Sequence, residues 1–207
     1  LARFFHTLHP LDRASIVWML PPLLVIAIPA ALILKQPNLG TATILVGLSL
    51  ALWFAGGLLK RYLAGALVAA AAAVPLVWQF GLHAYQKQRV MTFLDPESDP
   101  LGAGYNIIQS MIAIGAGGLE GKGYIKGSQG QLDFLPEKHT DFIFTMLAEE
   151  FGFIGCMVVL MFFLILLGYA VGIAISSRHR FGSLVCIGVG AMLWLHVMIN
   201  IAMVMGL

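Results

Sequence analysis

An all-α integral membrane protein, a polytopic bundle of spanning helices, is the fold class this sequence predicts, and three observations predict it. Hydrophobic residues make up 59% of the 207 positions and charged residues only 11%, against about 45–50% and about 25% in soluble domains. Charge-free apolar stretches recur at close to the ~20 residues a helix needs to cross a bilayer core of ~30 Å. The remaining charges gather in short clusters between those stretches or in one long polar segment. The same composition, with a mean hydropathy of +0.89, excludes a water-soluble domain and a disordered chain. Two cysteines exclude a disulfide scaffold, and a net charge of +2 gives no reason to expect a nucleic-acid partner.

Five spans follow in order, at about 14–34, 39–59, 62–82, 151–177 and 181–207. Pro21, Pro22, Pro29 and Pro75 fall inside spans, where neighbouring helices repair the backbone that a proline disturbs. The chain opens on Leu1 and an apolar run reaches Leu207, so we expect an internal piece of a longer protein. Basic residues in short loops fix the sidedness. Arg3, Arg13, Lys60, Arg61, Arg178 and Arg180 share one side with a single acid, Asp12, whereas the turn at 35–38 carries only Lys35. The first side is therefore cytoplasmic. Residues 83–140 then form a large extracytoplasmic loop, and nine of the ten acidic residues lie in it or just beyond it. Cys156 and Cys186 fall near opposite ends of their spans, too far apart for the ~7 Å that a disulfide tolerates; packing is the expected role of both. His196 and Asn200, spaced i, i+4, share one face of the last span.

The outer loop carries most of the information, because connections of this length are functional or disordered and this one is not disordered in composition. Tyr105 to Ile114 is an apolar run too short to span, which predicts a re-entrant or interfacial helix. Such a helix beside a polar surface suits a substrate with a lipid tail and a polar head. Asp95-Pro96-Glu97-Ser98-Asp99-Pro100 reads as a cation site or as tight turns. Gly115-Ala116-Gly117-Gly118-Leu119-Glu120-Gly121-Lys122-Gly123 is not a Walker loop, since its spacing is wrong and Gly123 stands where Ser or Thr is needed. It reads as a phosphate cradle built from backbone N–H groups or as plain turns. Pro136 and Thr140 are helix-start residues, which puts Asp141 near the N-terminus of the fourth spanning helix. There it reads either as an acid that complements the helix dipole or as a functional carboxylate at membrane depth. Glu149 and Glu150 follow two turns later and call for basic partners on neighbouring helices.

The sequence resembles the SEDS family of cell-wall polymerases, and its RodA-like branch in particular. The resemblance runs from about Lys35 to the C-terminus. It rests on Gln36-Pro37-Asn38-Leu39-Gly40, on Arg89-Val90 with Leu94-Asp95-Pro96, on Asp99-Pro100-Leu101-Gly102-Ala103-Gly104-Tyr105 with Gln109-Ser110, and on Phe134 through Phe144 with Glu149-Glu150. Gly121-Lys122-Gly123 and Gly127-Ser128-Gln129 point to the RodA-like branch. The family usually has Asp where this chain has Asn38, and Ser where it has Ala116.

The resemblance implies a bundle of about ten spanning helices, of which these would be the middle five, in the bacterial cytoplasmic membrane. It implies a peptidoglycan glycosyltransferase that polymerises lipid II into undecaprenyl-linked glycan on the extracytoplasmic face during cell elongation. The fragment alone would be inactive. A sugar hydroxyl attacks the anomeric carbon of a second lipid-linked disaccharide and undecaprenyl pyrophosphate leaves. The α-linked pyrophosphate becomes a β-glycosidic bond, so one inverting displacement suffices. That chemistry needs a base and positive charge for the leaving group. The family's essential aspartate matches Asp141, the candidate catalytic base. Arg89, Lys138, His139, Gln109, Ser110, Lys122 and Lys126 are the substrate-binding candidates, with Arg89 and Lys138 foremost for pyrophosphate. No metal ligand set and no cofactor are expected, and a divalent cation is left open. The implied partners are lipid II, membrane lipid and a class B penicillin-binding protein transpeptidase. The rivals are a lipid II flippase, which needs ionisable groups at midplane depth, and a non-catalytic scaffold for a cell-wall transpeptidase, which needs no acid at residue 141.

The sidedness is open to a direct check. In intact cells, a membrane-impermeant thiol reagent added from outside should modify Ser98→Cys and leave His179→Cys untouched; the reverse pattern inverts the topology.

Overall fold

The structure, a computed structural model, describes residues 1–7, 20–36, 38–57, 62, 64–65, 68, 71–72, 74–75, 77–81, 84–99, 104–127 and 142–206, without the side chains of Leu39, Val77, Tyr85, Arg89 and Phe93. Every regular element among these residues is helical. In chain order they are α1 (Ala2–Thr7), α2 (Leu20–Lys35), α3 (Leu39–Ala55), a π-helical turn (Val77–Gly81), α4 (Ala84–Leu94), a 3₁₀ turn (Pro96–Ser98), α5 (Tyr105–Gly117), α6 (Ile143–Ser176) and α7 (Arg180–Met205).

Two of these helices, α6 and α7, are long and apolar enough to cross a bilayer. Only 6% of the most apolar window of α6 and 11% of that of α7 is buried within the chain. A core helix of a soluble protein would bury such a stretch; α6 instead presents Met161, Phe162, Leu164, Leu166 and Ile175 outward, as a helix facing lipid or further helices does. At 1.5 Å per residue, the part of α6 after Gly152, residues 153–176, is about 36 Å long, where the sequence reading placed a span at 151–177. The fifth expected span, 181–207, corresponds to α7. The first two, 14–34 and 39–59, correspond to the shorter helices α2 and α3. The third, 62–82, is described only in part, at 62, 64–65, 68, 71–72, 74–75 and 77–81.

The chain divides into two compact units. The first holds Leu1–Gly81 and Leu166–His196. Phe5, Ile26, Trp53 and Leu184 form its core, with Leu1, Phe4 and Ala55 packed around them. Helix α3 starts where Asn38 accepts a hydrogen bond from Thr41 N–H at 3.1 Å. This is the ordinary N-cap function, and Asn performs it as well as Asp does. The uncharged residue at this departure from the family therefore keeps the cap. Helix α3 ends at Gly56, whose carbonyl accepts from Arg180 Nη2 at 2.6 Å. A guanidinium there satisfies a terminal carbonyl and complements the negative end of the helix dipole. Arg180, first read as a marker of the cytoplasmic side, is thus also a C-terminal cap for α3.

The second unit holds Leu82–Ile165 and Val197–Leu207. Its helix α4 lies in the segment that the sequence reading took as loop, and polar Gln86 and Thr92 are buried while Met91 and Leu94 are exposed. The helix escapes pattern reading for that reason. The Asp95–Asp99 stretch is a chain of turns: Ser98 Oγ and Ser98 N–H both donate to Asp95 O, at 2.6 and 3.2 Å, and Gly104 N–H donates to Asp99 O at 3.1 Å. The helix expected at 105–114 is α5, three residues longer. Cys156 and Cys186 are both free thiols.

Arg180→Ala should lower the stability of the protein by about 1–2 kcal/mol, the scale of a charge-assisted hydrogen bond in a part-buried site. Denaturant unfolding in detergent checks it, with exposed Arg178→Ala as the comparison expected to change little.

Candidate functional site

The second unit is organised around a break in α6. Gly152 has φ 63° and ψ −163° inside an otherwise helical run, a conformation open essentially to glycine alone. In an unbroken helix, Phe153 and Ile154 would donate to the carbonyls of Glu149 and Glu150. Here Phe153 N–H donates to Gly118 O at 2.9 Å and Ile154 N–H to Leu119 O at 3.2 Å. The two carbonyls thus released accept instead from Lys122 N–H and Gly123 N–H, both at 3.0 Å. The glycine-rich turn after α5 therefore supplies two acceptors and two donors to the four groups that the break frees. The exchange needs backbones at very short range. A Cβ at Gly117 would run into Ala148 O, one at Gly121 into Glu150 O, and one at Gly152 into Gly121 N and Leu119 O.

These bonds bear on the reading of the turn as a phosphate cradle. The N–H groups of Gly121, Lys122, Gly123 and Lys126 donate to Gly117, Glu149, Glu150 and Gly123 carbonyls respectively. Donors spent inside the chain are not offered to an anion, so the alternative reading, a structural turn, is the one this geometry favours.

Side chains strengthen the same junction. Lys122 Nζ donates to Glu149 Oε1 at 2.8 Å; the carboxylate is fully buried, with 0% of the Glu149 side chain exposed. The basic partner that the sequence called for thus comes from the turn and not from a neighbouring helix. Ser110 Oγ and Thr145 Oγ1 share a hydrogen bond of 2.6 Å, and Ser110 Oγ also donates to Val204 O at 2.9 Å. Ser110 therefore ties α5 to α6 and to the end of α7. Phe142 and Val204 form a small apolar core beside it with Ile114 and Phe144. An apolar groove of about 230 Å³ runs alongside, lined by Ile114, Gly118, Phe144, Phe153, Cys156 and Met205 among others.

The remaining candidates are distributed as follows. Gln109 is half-buried on α5, next to Ser110, and Lys126 is exposed at the end of the described turn. Arg89 lies on α4, its side chain not described. Asp141, Lys138 and His139 lie outside the described residues; in sequence Asp141 immediately precedes Phe142, the turn residue from which α6 starts. Among the described residues no group of three or more His, Cys, Asp or Glu side chains comes together. Thr145 and the Val204 carbonyl were missed by the sequence reading, and neither carries a signal of its own. Gly152 could have been flagged as a helix-interior glycine two residues beyond a pair of acids.

The model of the FtsW/RodA/SpoVE cell cycle protein family matches residues 1–207. The chain belongs to this family. Among curated relatives, the peptidoglycan glycosyltransferase MrdB of Escherichia coli strain K12 is 50% identical over 186 residues, which cover 89% of this chain and 50% of that protein. The peptidoglycan glycosyltransferase RodA of Treponema pallidum strain Nichols is 44% identical over 126 residues, 61% of this chain and 29% of that protein. A solved chain from work on the structural coordination of polymerization and crosslinking by a peptidoglycan synthase complex superposes with a TM-score of 0.80 at 28% identity, covering all of this chain and 56% of that one. The chain thus spans about half the length of the curated relatives it matches. Membership of the FtsW/RodA/SpoVE family, with two bilayer-length apolar helices, makes this a membrane protein of the SEDS type that its motifs indicate.

The break in α6 makes a comparison possible between two glycines of the same helix. Gly152→Ala combines a strained conformation with a collision against the turn and should cost at least about 2 kcal/mol. Gly168, where a Cβ would meet nothing within 4 Å, should accept alanine at no cost or with a gain of up to ~1 kcal/mol from helix propensity. Thermal unfolding of the two variants side by side checks both expectations.

Proposed function

We propose that the protein of which this chain is part is a peptidoglycan glycosyltransferase of the elongation machinery, which joins lipid II units by a single inverting displacement. The observation that carries the reading is the 50% identity to a peptidoglycan glycosyltransferase across 89% of the chain, in a sequence that keeps the acid of the Leu135-Pro136-Glu137-Lys138-His139-Thr140-Asp141 motif. In this reading Asp141 accepts the proton of the attacking sugar hydroxyl as the new glycosidic bond forms, and pyrophosphate leaves on its undecaprenyl carrier. In sequence that acid directly precedes Phe142, after which the membrane-length helix α6 begins, and a base just ahead of a membrane helix suits a substrate whose sugar is anchored to lipid.

The developing negative charge on the leaving pyrophosphate calls for cations whose charge is not already answered. Lys122 faces the Glu149 carboxylate at 2.8 Å, which leaves Arg89, Lys126, Lys138 and His139 as the groups we assign to the leaving group, with Arg89 and Lys138 foremost. The apolar groove beside α5 and α6 supports a substrate with a hydrocarbon tail. The distribution of basic residues supports the cytoplasmic membrane, with the site on its outer face. A class B transpeptidase is the partner we assign, supported by the likeness to a chain of a complex that couples polymerization to crosslinking.

Asp141→Asn keeps the shape of the side chain and removes its basicity. In the purified full-length protein, supplied with its transpeptidase partner and lipid II, this variant should insert and co-purify normally yet lose at least about a hundredfold in polymerisation rate, the lower end of what a placed base contributes. Near-normal glycan synthesis by Asp141→Asn would overturn the base role and leave the residue a helix-capping acid, whereas a wild type without glycan synthesis would return the flippase and scaffold readings to the front.

A further inference from the structure

Lys122 and Glu149 are 27 residues apart in sequence, and their ion pair spans the two sides of the exchange at Gly152. We propose that the two are positioning residues: their ion pair sets the direction of the first turns of α6, and through them the reach of the acid that stands immediately before Phe142. The second half of this statement rests on the polymerase reading above; the first rests on geometry alone.

The backbone exchange joins residues 118–123 to residues 149–154 through four bonds that all lie at the break. One of those bonds already runs from Lys122 N–H to Glu149 O. The Lys122 ammonium adds a second link between the same two residues, from side chain to side chain, on the N-terminal arm of the bent helix. Gly127 leaves room on the other side of the same carboxylate: a Cβ there would come 2.7 Å from Glu149 Oε2. The ring of Tyr124, between Lys122 and Gly127 in sequence, packs on Phe151 with centroids 6.3 Å apart.

Energetics separate positioning from plain stabilisation. The carboxylate end of the pair is fully buried and the Lys122 end partly exposed; desolvation of the buried charge offsets much of the attraction, so an apolar pair of similar volume is commonly as stable. What the apolar pair lacks is a link of fixed length and direction. A carboxylate fully buried in a membrane protein is, moreover, a functional suspect by default. The same region closes two other polar groups with short neutral bonds, at Ser110 and Thr145, so a charge was not needed merely to hold helices together.

The test uses the full-length protein with Cys156→Ala and Cys186→Ala and spin labels at Ile143→Cys and Leu164→Cys. Both positions are exposed and they lie on either side of Gly152. Their separation, about 30 Å from the helix rise, reports the bend by pulsed dipolar spectroscopy. The variants are Lys122→Met, the double variant Lys122→Met/Glu149→Met, and the charge swap Lys122→Glu/Glu149→Lys. The proposal expects a broadened or shifted distance in the single and apolar double variants, and recovery in the swap. Without labels, lipid II polymerisation should show kcat lowered about tenfold to a hundredfold, the scale of a small misplacement of reacting groups. The KM should stay within about threefold, the apolar double variant should keep its thermal stability, and the swap should regain most of the rate. An unchanged distance distribution in Lys122→Met and in the apolar double variant overturns the proposal, and so does wild-type kcat in a stable apolar double variant. If wild type and Asp141→Asn are equally inactive the polymerase reading fails, and the distance measurement still decides whether the pair sets the bend.

Discussion

Backbone amides and carbonyls freed by a broken helix must find partners, and in a protein of this polarity water is a poor source of them. Each such group left buried and unpaired costs about 1–3 kcal/mol, so the four groups freed around Gly152 would cost a large share of any domain's net stability. The second unit depends on the answer found here, which is a turn that returns two donors and two acceptors to α6. Much of the local sequence follows from that one requirement. Glycines at 117, 121 and 152 let backbones approach where a Cβ would collide. The turn follows α5 directly because its carbonyls at 118 and 119 must reach the helix just past the break. Re-satisfied irregular backbone of this kind is what permits non-helical geometry in membrane proteins at all.

The fold class was legible because it rests on quantities that survive without geometry: composition, the length of apolar runs and the clustering of charge. The helices carrying the fourth and fifth apolar stretches, α6 and α7, lie where those runs lie. The helix at 105–117 announced itself by being apolar, short and bounded by glycines. Helix α4 did not, because its buried residues include Gln86 and Thr92 and a helix that buries polar groups breaks the pattern that reveals helices. The exchange at Gly152 was hidden for a different reason. A glycine-rich turn has one appearance in sequence whether its amides face an anion or a carbonyl, and only the placement of α6 decides between them.

Candidate site residues divide along the same line. Asp141, Lys138 and His139 are candidates through a motif, a pattern of residue types at fixed spacing, and they lie outside the described residues. The Lys122–Glu149 pair and the Ser110–Thr145 bond join positions 27 and 35 residues apart, and nothing local in the sequence says that they meet. Ser110 stood out beside Gln109 as a candidate for substrate. Its hydroxyl is fully enclosed and occupied by Thr145 and the Val204 carbonyl, a tie among three helices. Asn38 shows the converse: the family's usual Asp would carry a charge there, and the visible task of Asn38, capping α3, needs none.

The function proposed for this region has two layers with different physical demands. Its reacting groups would need the right chemistry at the membrane surface, which the motif ending at Asp141 is proposed to supply. They also need a helix end that points the same way each time, and a helix interrupted by glycine does not provide that unaided, because the break that redirects the chain also removes the rigidity of a continuous helix. Polar contacts around the break restore it at three levels. Backbone exchange closes the freed groups. The Ser110 hydroxyl fixes α5 and α7 to the N-terminal arm at Thr145. The half-buried Lys122–Glu149 pair ties that arm to the turn. An apolar interface would stabilise the same helices with less directional preference. The concentration of short, directional contacts within about two turns of Gly152 is what a membrane helix requires if it is to be bent and still hold a fixed direction.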